Sequence, residues 1–407
     1  MTVSFLFTTI GKASTVGGLI SIAIVVGFGM FLVGFDANLF FFGGTFIFSI
    51  LNVSPFLLGI ASSGFAIGIT IFSLVGGYVF DRITTRNGIL ISLAIISLFS
   101  ALTGFASNAY EVVIYRFLVG FGTGMIQPQI SAFLGDLRPK IRATLIATAG
   151  VFFNVGLFAG PLVFAGFSTL HTFDIPFIIA GVSGLVLMGL TVGLVPSKYR
   201  PPEKPKKGIL KNMNRSLLLA SISYLFFGVA FFAFESYITP YFISSGLNKG
   251  SAAVVLSTFG IAGIILAYPG GIAGDRFNRK RLIQLGIFMI FLGSVVMFAF
   301  HVTFVLALIG VVLFGGGYAI YGNIQAFSQE SVEDAWIGTA VGFLFTVFNI
   351  GAIFGGPLMG YVSVTYGYHL GGVYAMIVPL AIAVVVMSVA PAVTKKASKP
   401  QEQEAPA

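Results

Sequence analysis

The sequence has no cysteine, only three histidines and few charges of either sign. Without cysteine there is no disulfide, no thiolate metal site and no thiol nucleophile. His171, His301 and His369 stand apart in no metal-ligand or triad pattern. No metal, no cofactor and no catalytic centre is therefore expected, and the chain does not read as an enzyme. A Walker-type phosphate loop is missing too, because GKAST at 11–15 lacks the Gly-x4-Gly-Lys frame. That excludes direct use of ATP through this motif. The opening MTVSFLFTTIGKAS lacks a basic start, an apolar core and a cleavage site in that order, so no cleaved signal peptide is expected.

Charged residues make up 9% of the 407 positions, against roughly 25% in soluble domains. Hydrophobic residues make up 57%. No water-soluble fold hides that much apolar surface, so lipid is the expected solvent for most of the chain. A spanning helix needs about 20 mostly apolar residues. Twelve such segments are expected, at 17–42, 54–80, 88–106, 110–135, 141–168, 173–196, 216–243, 251–274, 282–301, 303–327, 338–365 and 369–391.

The basic residues orient these spans. Of 22 Lys and Arg, all but Arg116 and Lys249 fall at the N-terminus, after even-numbered spans or in the C-terminal tail. The positive-inside rule then places both termini in the cytoplasm of a multi-pass cell-membrane protein. The pI of 9.6 records that topology, and no nucleic-acid partner is expected.

Two motifs recur. GGYVFDRITTR at 76–86 returns as GGIAGDRFNRKR at 270–281, and FNVGLFAGP at 153–161 returns as FNIGAIFGGP at 348–357. Asp81 and Asp275 are 194 residues apart, Asn154 and Asn349 are 195 apart. Nearly equal offsets indicate duplication. The expected organisation is a six-helix half at 1–196, a basic cytoplasmic linker at 197–215, a second half at 216–391 and a polar tail at 392–407.

The stretch after the second span resembles the Gly-x3-Asp-Arg/Lys-x-Gly-Arg/Lys-Arg/Lys signature of the major facilitator superfamily. The second copy has Asn278 at the turn glycine, a residue that tolerates φ > 0 next best after glycine; the first has Thr84. YRFLVGFGTG at 115–124 resembles the family's fourth-helix Arg-x3-Gly-x-Gly-x-Gly run, with Arg116 as its arginine. GDLRPKIR at 135–142 resembles a loop of sugar and organic-acid porters, and GFDANLF at 34–40 resembles helix 1 of metabolite–proton symporters. The resemblance covers about residues 15–391. It implies an all-α membrane protein of two pseudo-symmetric six-helix bundles, working as a monomer by alternating access. It also implies a cytoplasmic gate at Gly77, Asp81, Arg82, Arg86, Gly271, Asp275, Arg276, Arg279 and Lys280. The motif glycines are expected to let a neighbouring helix approach closely.

Three charges fall inside expected spans: Asp36, Arg116 and Glu235. A charge at a helix centre costs roughly 2.5–3.5 kcal/mol on insertion scales, so each needs a reason. The span midpoints put all three ~8–9 Å toward the outer face. The chemistry expected of them is proton coupling: Asp36 carries the proton and Arg116 controls it, with Glu235 near-symmetric in the other half. The alternative is a structural ion pair.

Other buried polar candidates for solute binding, beside Arg116, are Asn38, Gln127, Asn154, Tyr237, Asn323, Gln325 and Asn349. Interhelical hydrogen bonds are the competing explanation for each. The Gly-x3-Gly-Pro runs at 156–161 and 351–357 resemble a drug-antiporter motif, and a tight packing bend explains them equally well. The expected function is secondary active transport of a small organic acid or sugar, with proton symport ahead of export by antiport and of facilitated diffusion. The expected partners are a small solute, protons and the lipid bilayer.

Overall fold

The computed structural model describes residues 16–80, 83–137, 142–169, 172–195, 214–321, 323–332 and 337–392. The described residues are almost entirely helical. In chain order the helices are α1 Val16–Ile50, α2 Pro55–Phe80, α3 Thr85–Gly104, α4 Ala109–Leu137, α5 Arg142–Phe167 and α6 Asp174–Leu194. They continue as α7 Arg215–Ser244, α8 Lys249–Arg276, α9 Arg279–Phe298, α10 in two segments Phe304–Tyr321 and Asn323–Glu330, and α11 Ile337–Tyr366. The last, α12, runs Tyr368–Val389 through a π-helical turn at Val373–Ile377. Twelve helices are long and apolar enough to cross a membrane.

α1 runs eight residues past its expected end at 42, because FFGGTFIFSI at 41–50 stays apolar. It stops where Asn52 takes a left-handed φ of 52° and the Val53 N–H turns back to the Phe48 carbonyl at 3.1 Å, a Schellman-type ending. The longer helix corrects the depth expectation. Asp36 lies three residues past the middle of α1, Val16–Ile50, rather than six residues past a midpoint near 30.

Pairings recur six helices on. α1 packs on α5 as α7 packs on α11, and α3 on α6 as α9 on α12. The first six helices meet the last six through α2 with α11, α5 with α8 and α1 with α7. Loops after odd-numbered helices gather at one end of the bundle, the odd-loop end. Most of the linker at 197–215 lies outside the described residues; α7 begins at Arg215, capped by the Asn214 side chain, which accepts from the Leu217 N–H at 2.8 Å.

Candidate functional site

The first site is a sealed ion pair. Arg116 on α4 donates from Nη2 to Asp36 Oδ2 at 2.7 Å and from Nη1 to Oδ1 at 3.2 Å. The Ser100 hydroxyl on α3 donates to the same Oδ1. Asp36 is 1% exposed and Arg116 fully buried. The guanidinium lies 4.5 Å from the Phe40 ring centre and 5.2 Å from that of Phe65. Four helices therefore build the cage: α1 supplies the acid and a ring, α2 a ring, α3 a hydroxyl and α4 the cation. A fork-on-fork pair satisfies both charges while aromatic faces stand in for water.

Glu235 on α7 is the opposite case. It is 1% exposed, and neither carboxyl oxygen has a hydrogen-bond partner among the described residues. Thr239, one turn on, is likewise buried with an unpartnered hydroxyl. On the facing α10, the Tyr318 ring stacks on Phe231 of α7 at 5.2 Å between centres.

Most of the polar candidates bond backbone groups. Asn38 donates its amide to the Leu157 carbonyl at 2.7 Å. Leu157 is four residues before Pro161, whose missing N–H leaves that carbonyl without its helical donor. The other bend repeats the device: Ser63 on α2 donates to the Ile353 carbonyl at 2.7 Å, freed by Pro357. The Gly-Pro runs are thus explained by packing.

Asn154 and Asn349 each bond back to the carbonyl one turn earlier, Gly150 at 2.9 Å and Phe345 at 3.0 Å. Asn154 also stands at the α5–α8 crossing, where a Cβ on Gly263 would collide with its Oδ1. Gln127 is half-buried on α4. Tyr237 accepts from the Gly59 N–H at 3.1 Å.

Asn323 sits far from these groups, at the junction of α8, α9 and α10. It donates to the Gly270 carbonyl at 3.1 Å and accepts from Arg279 at 3.2 Å; Gln325 follows two residues later on the same segment. Arg279 also grips Glu330 with two bonds, at 3.0 and 3.1 Å. Lys280 donates to the Ser388 carbonyl at 2.9 Å.

Two expectations about the repeated motif need correction. Asn278 has φ −67° and Thr84 φ −71°, and each side chain caps the helix that follows. The position needs an N-cap rather than a left-handed residue. Gly271 is exposed with open space around a Cβ, while the close approach belongs to Gly274, where a Cβ would strike Asn323. Arg276 is exposed at the end of α8, and Arg86, in the first turn of α3, has a buried Nε without a partner among the described residues. Gly77 lies within α2. Asp81, Arg82 and the Asp275 side chain lie outside the described residues.

Sequence reading missed the residues that join the two sets of helices. At the odd-loop end, Lys249 at the start of α8 donates to the Ser168 carbonyl at 2.9 Å and to its hydroxyl at 2.5 Å. Its ammonium also lies 5.4 and 5.5 Å from the Phe46 and Phe164 ring centres. The Gly59 and Gly356 backbones touch, and a Cβ on Gly360 would collide with the Tyr237 hydroxyl. The one available signal was Lys249 itself, the single basic residue after an odd-numbered span. Toward the other end, Gly150, Gly271 and Gly342 on α5, α8 and α11 face open space. Among the described residues the seam is closed at the odd-loop end.

A family model described as Major Facilitator Superfamily matches residues 26–356. A hexuronate transporter of Bacillus subtilis (strain 168) is 25% identical over 350 residues, covering 78% of this chain and 81% of its own. An uncharacterized MFS-type transporter, YcaD, of Shigella flexneri is 23% identical, covering 75% and 79%. Among solved structures, a bacterial homolog of the human lysosomal transporter Spinster, in an inward-facing and occupied conformation, has a TM-score of 0.76 at 16% identity, covering 91% of this chain and 96% of that one. A D-xylose–proton symporter has a TM-score of 0.75 at 17% identity, covering 93% and 99%. At these identities the structural likeness speaks for the fold.

Proposed function

The chain belongs to the Major Facilitator Superfamily, and from that premise we propose that it carries a small organic acid or sugar across the cell membrane together with protons. It is a multi-pass membrane transporter, not an enzyme. The two six-helix sets, 1–196 and 216–391, rock about the seam formed by α2 with α11 and α5 with α8. With both termini cytoplasmic, the odd-loop end, closed by Lys249 and by the Gly59–Gly356 contact, faces outward. The motif around Asp81 and Asp275 then serves the cytoplasmic gate.

The observation that carries proton coupling is that two acids, Asp36 and Glu235, lie inside the helix bundle at 1% exposure each. A carboxylate in apolar surroundings without a partner favours its neutral form, so an intramembrane acid whose surroundings change as the halves rock takes up and releases a proton. Arg116 meets the charge of Asp36 at 2.7 Å, and Glu235 has no such partner among the described residues. The hexuronate and xylose transport in the relatives' names favours polyhydroxylated solutes with or without a carboxylate.

The test is lumenal pH in proteoliposomes of the purified chain while D-glucuronate or D-xylose is added outside. Acidification that follows solute uptake supports symport. Alkalinisation indicates antiport, and labelled-solute entry without a pH change indicates a facilitator.

A further inference from the structure

The two buried acids are not equivalent. Asp36 receives two bonds from Arg116 and one from Ser100, so its charge is met in place. Glu235 has burial without compensation. An ionised carboxylate taken out of water without a partner costs several kcal/mol even after relaxation, whereas a neutral carboxyl needs no counter-ion.

The neighbours of α7 confirm the imbalance. α2 and α11 bring no charged side chain, and α1 brings Asp36, already engaged. α8 brings Lys249, bonded to Ser168 at the odd-loop end, and at the opposite end Asp275 and an exposed Arg276. α12 brings His369 and Tyr368 at its outer start, and Glu330 on α10 is held by Arg279. α10 also carries Tyr318, half-buried and stacked on Phe231.

We infer that Glu235 holds and exchanges the coupled proton, and that the Asp36–Arg116–Ser100 cluster is a charge-neutral clamp that keeps α1, α3 and α4 together. This role presupposes the proton-coupled transport proposed above, and it moves the proton from the paired acid to the bare one. The exchange is a simple protonation: the carboxylate takes one proton from the outer side and returns it to the inner side, with no other bond made or broken.

The first experiment needs no transported solute. Infrared titration of the purified full chain in liposomes should show a carboxylic-acid C=O band near neutral pH. The band should vanish in Glu235→Gln and survive in Asp36→Asn. Glu235→Asp, the milder change, should keep the band at a shifted frequency if Glu235→Gln proves unstable. A band that persists in Glu235→Gln or Glu235→Asp at its original frequency, or no band in the wild type, overturns the assignment.

The second experiment repeats the lumenal-pH measurement. Solute-linked acidification should fall to the level of empty liposomes in Glu235→Gln while labelled D-glucuronate or D-xylose still exchanges across the membrane. Wild-type acidification retained by Glu235→Gln overturns the role. Should wild-type solute entry carry no proton while the band still depends on Glu235, symport fails and the protonated site stands.

Discussion

The Asn38 amide donates to the Leu157 carbonyl at 2.7 Å, across the α1–α5 contact. Pro161 created the need for that bond by removing the N–H that would have served the carbonyl inside α5. A residue that looked like a solute ligand is thus tied to a bend four residues from the carbonyl it serves.

The pairing has a measurable consequence. Asn38→Leu strands the buried carbonyl and should lower stability by about 1–3 kcal/mol. Pro161→Ala restores an N–H to α5, so the double variant Asn38→Leu/Pro161→Ala should recover much of the loss. Thermal unfolding in detergent reads both; an unchanged midpoint in Asn38→Leu would show that the bond contributes nothing.

At the second bend the donor comes from the other set of helices. Ser63 lies on α2 and Ile353 on α11, with Gly59 and Gly356 in backbone contact one turn away. Gly59→Leu should force the helices apart and open the odd-loop end. With Ser63→Cys as reporter in this cysteine-free chain, maleimide labelling should be slow in the parent and several-fold faster after Gly59→Leu. Equal rates would mean that the seam does not depend on that crossing.

The ion pair predicts strong non-additivity. Removing one member leaves a buried charge alone, at a cost of about 3–5 kcal/mol in comparable pairs. Asp36→Leu and Arg116→Leu should each be markedly destabilised, and the double variant should be more stable than either. Unfolding midpoints that simply add would exclude a coupled clamp.

A smaller effect is expected at the α9–α10 junction. Arg279 and Glu330 keep 11% and 26% of their side chains exposed, so water screens their attraction. Glu330→Gln should cost no more than about 1 kcal/mol. Arg279→Ala should cost more, because it also strips Asn323 of a donor. Comparing the two unfolding midpoints checks the order.

Much of the site was legible residue by residue. Asp36, Arg116 and Glu235 stood out because a charge inside an apolar run is expensive, and two of them do meet. Asn38, Asn154, Asn323 and Asn349 stood out equally, yet none could be assigned a role by type alone. An amide serves a solute, a neighbouring helix or its own backbone, and the choice depends on what lies opposite. Ser63, Ser100 and Ser168 carried no signal, since a serine in a membrane helix ordinarily bonds its own preceding turn, as Ser62, Ser92 and Ser97 do. The N-cap role of Asn278 and Thr84 was hidden for a similar reason: a short polar side chain suits both a left-handed turn and a helix start.

By itself the sequence determined the number of spans and the lipid solvent they need, because hydrophobic run length is a property of the chain read along its length, as is the placement of Lys and Arg from which their direction is proposed. Duplication was equally visible, as spacing is preserved whatever the packing. Only the tertiary structure decided which acid is paired and which is bare, which carbonyls the prolines leave for Asn38 and Ser63, and which end of the seam is closed. Those outcomes depend on contacts between residues 80 to 290 positions apart, and no local pattern encodes what a side chain will face once helices from both sets have packed.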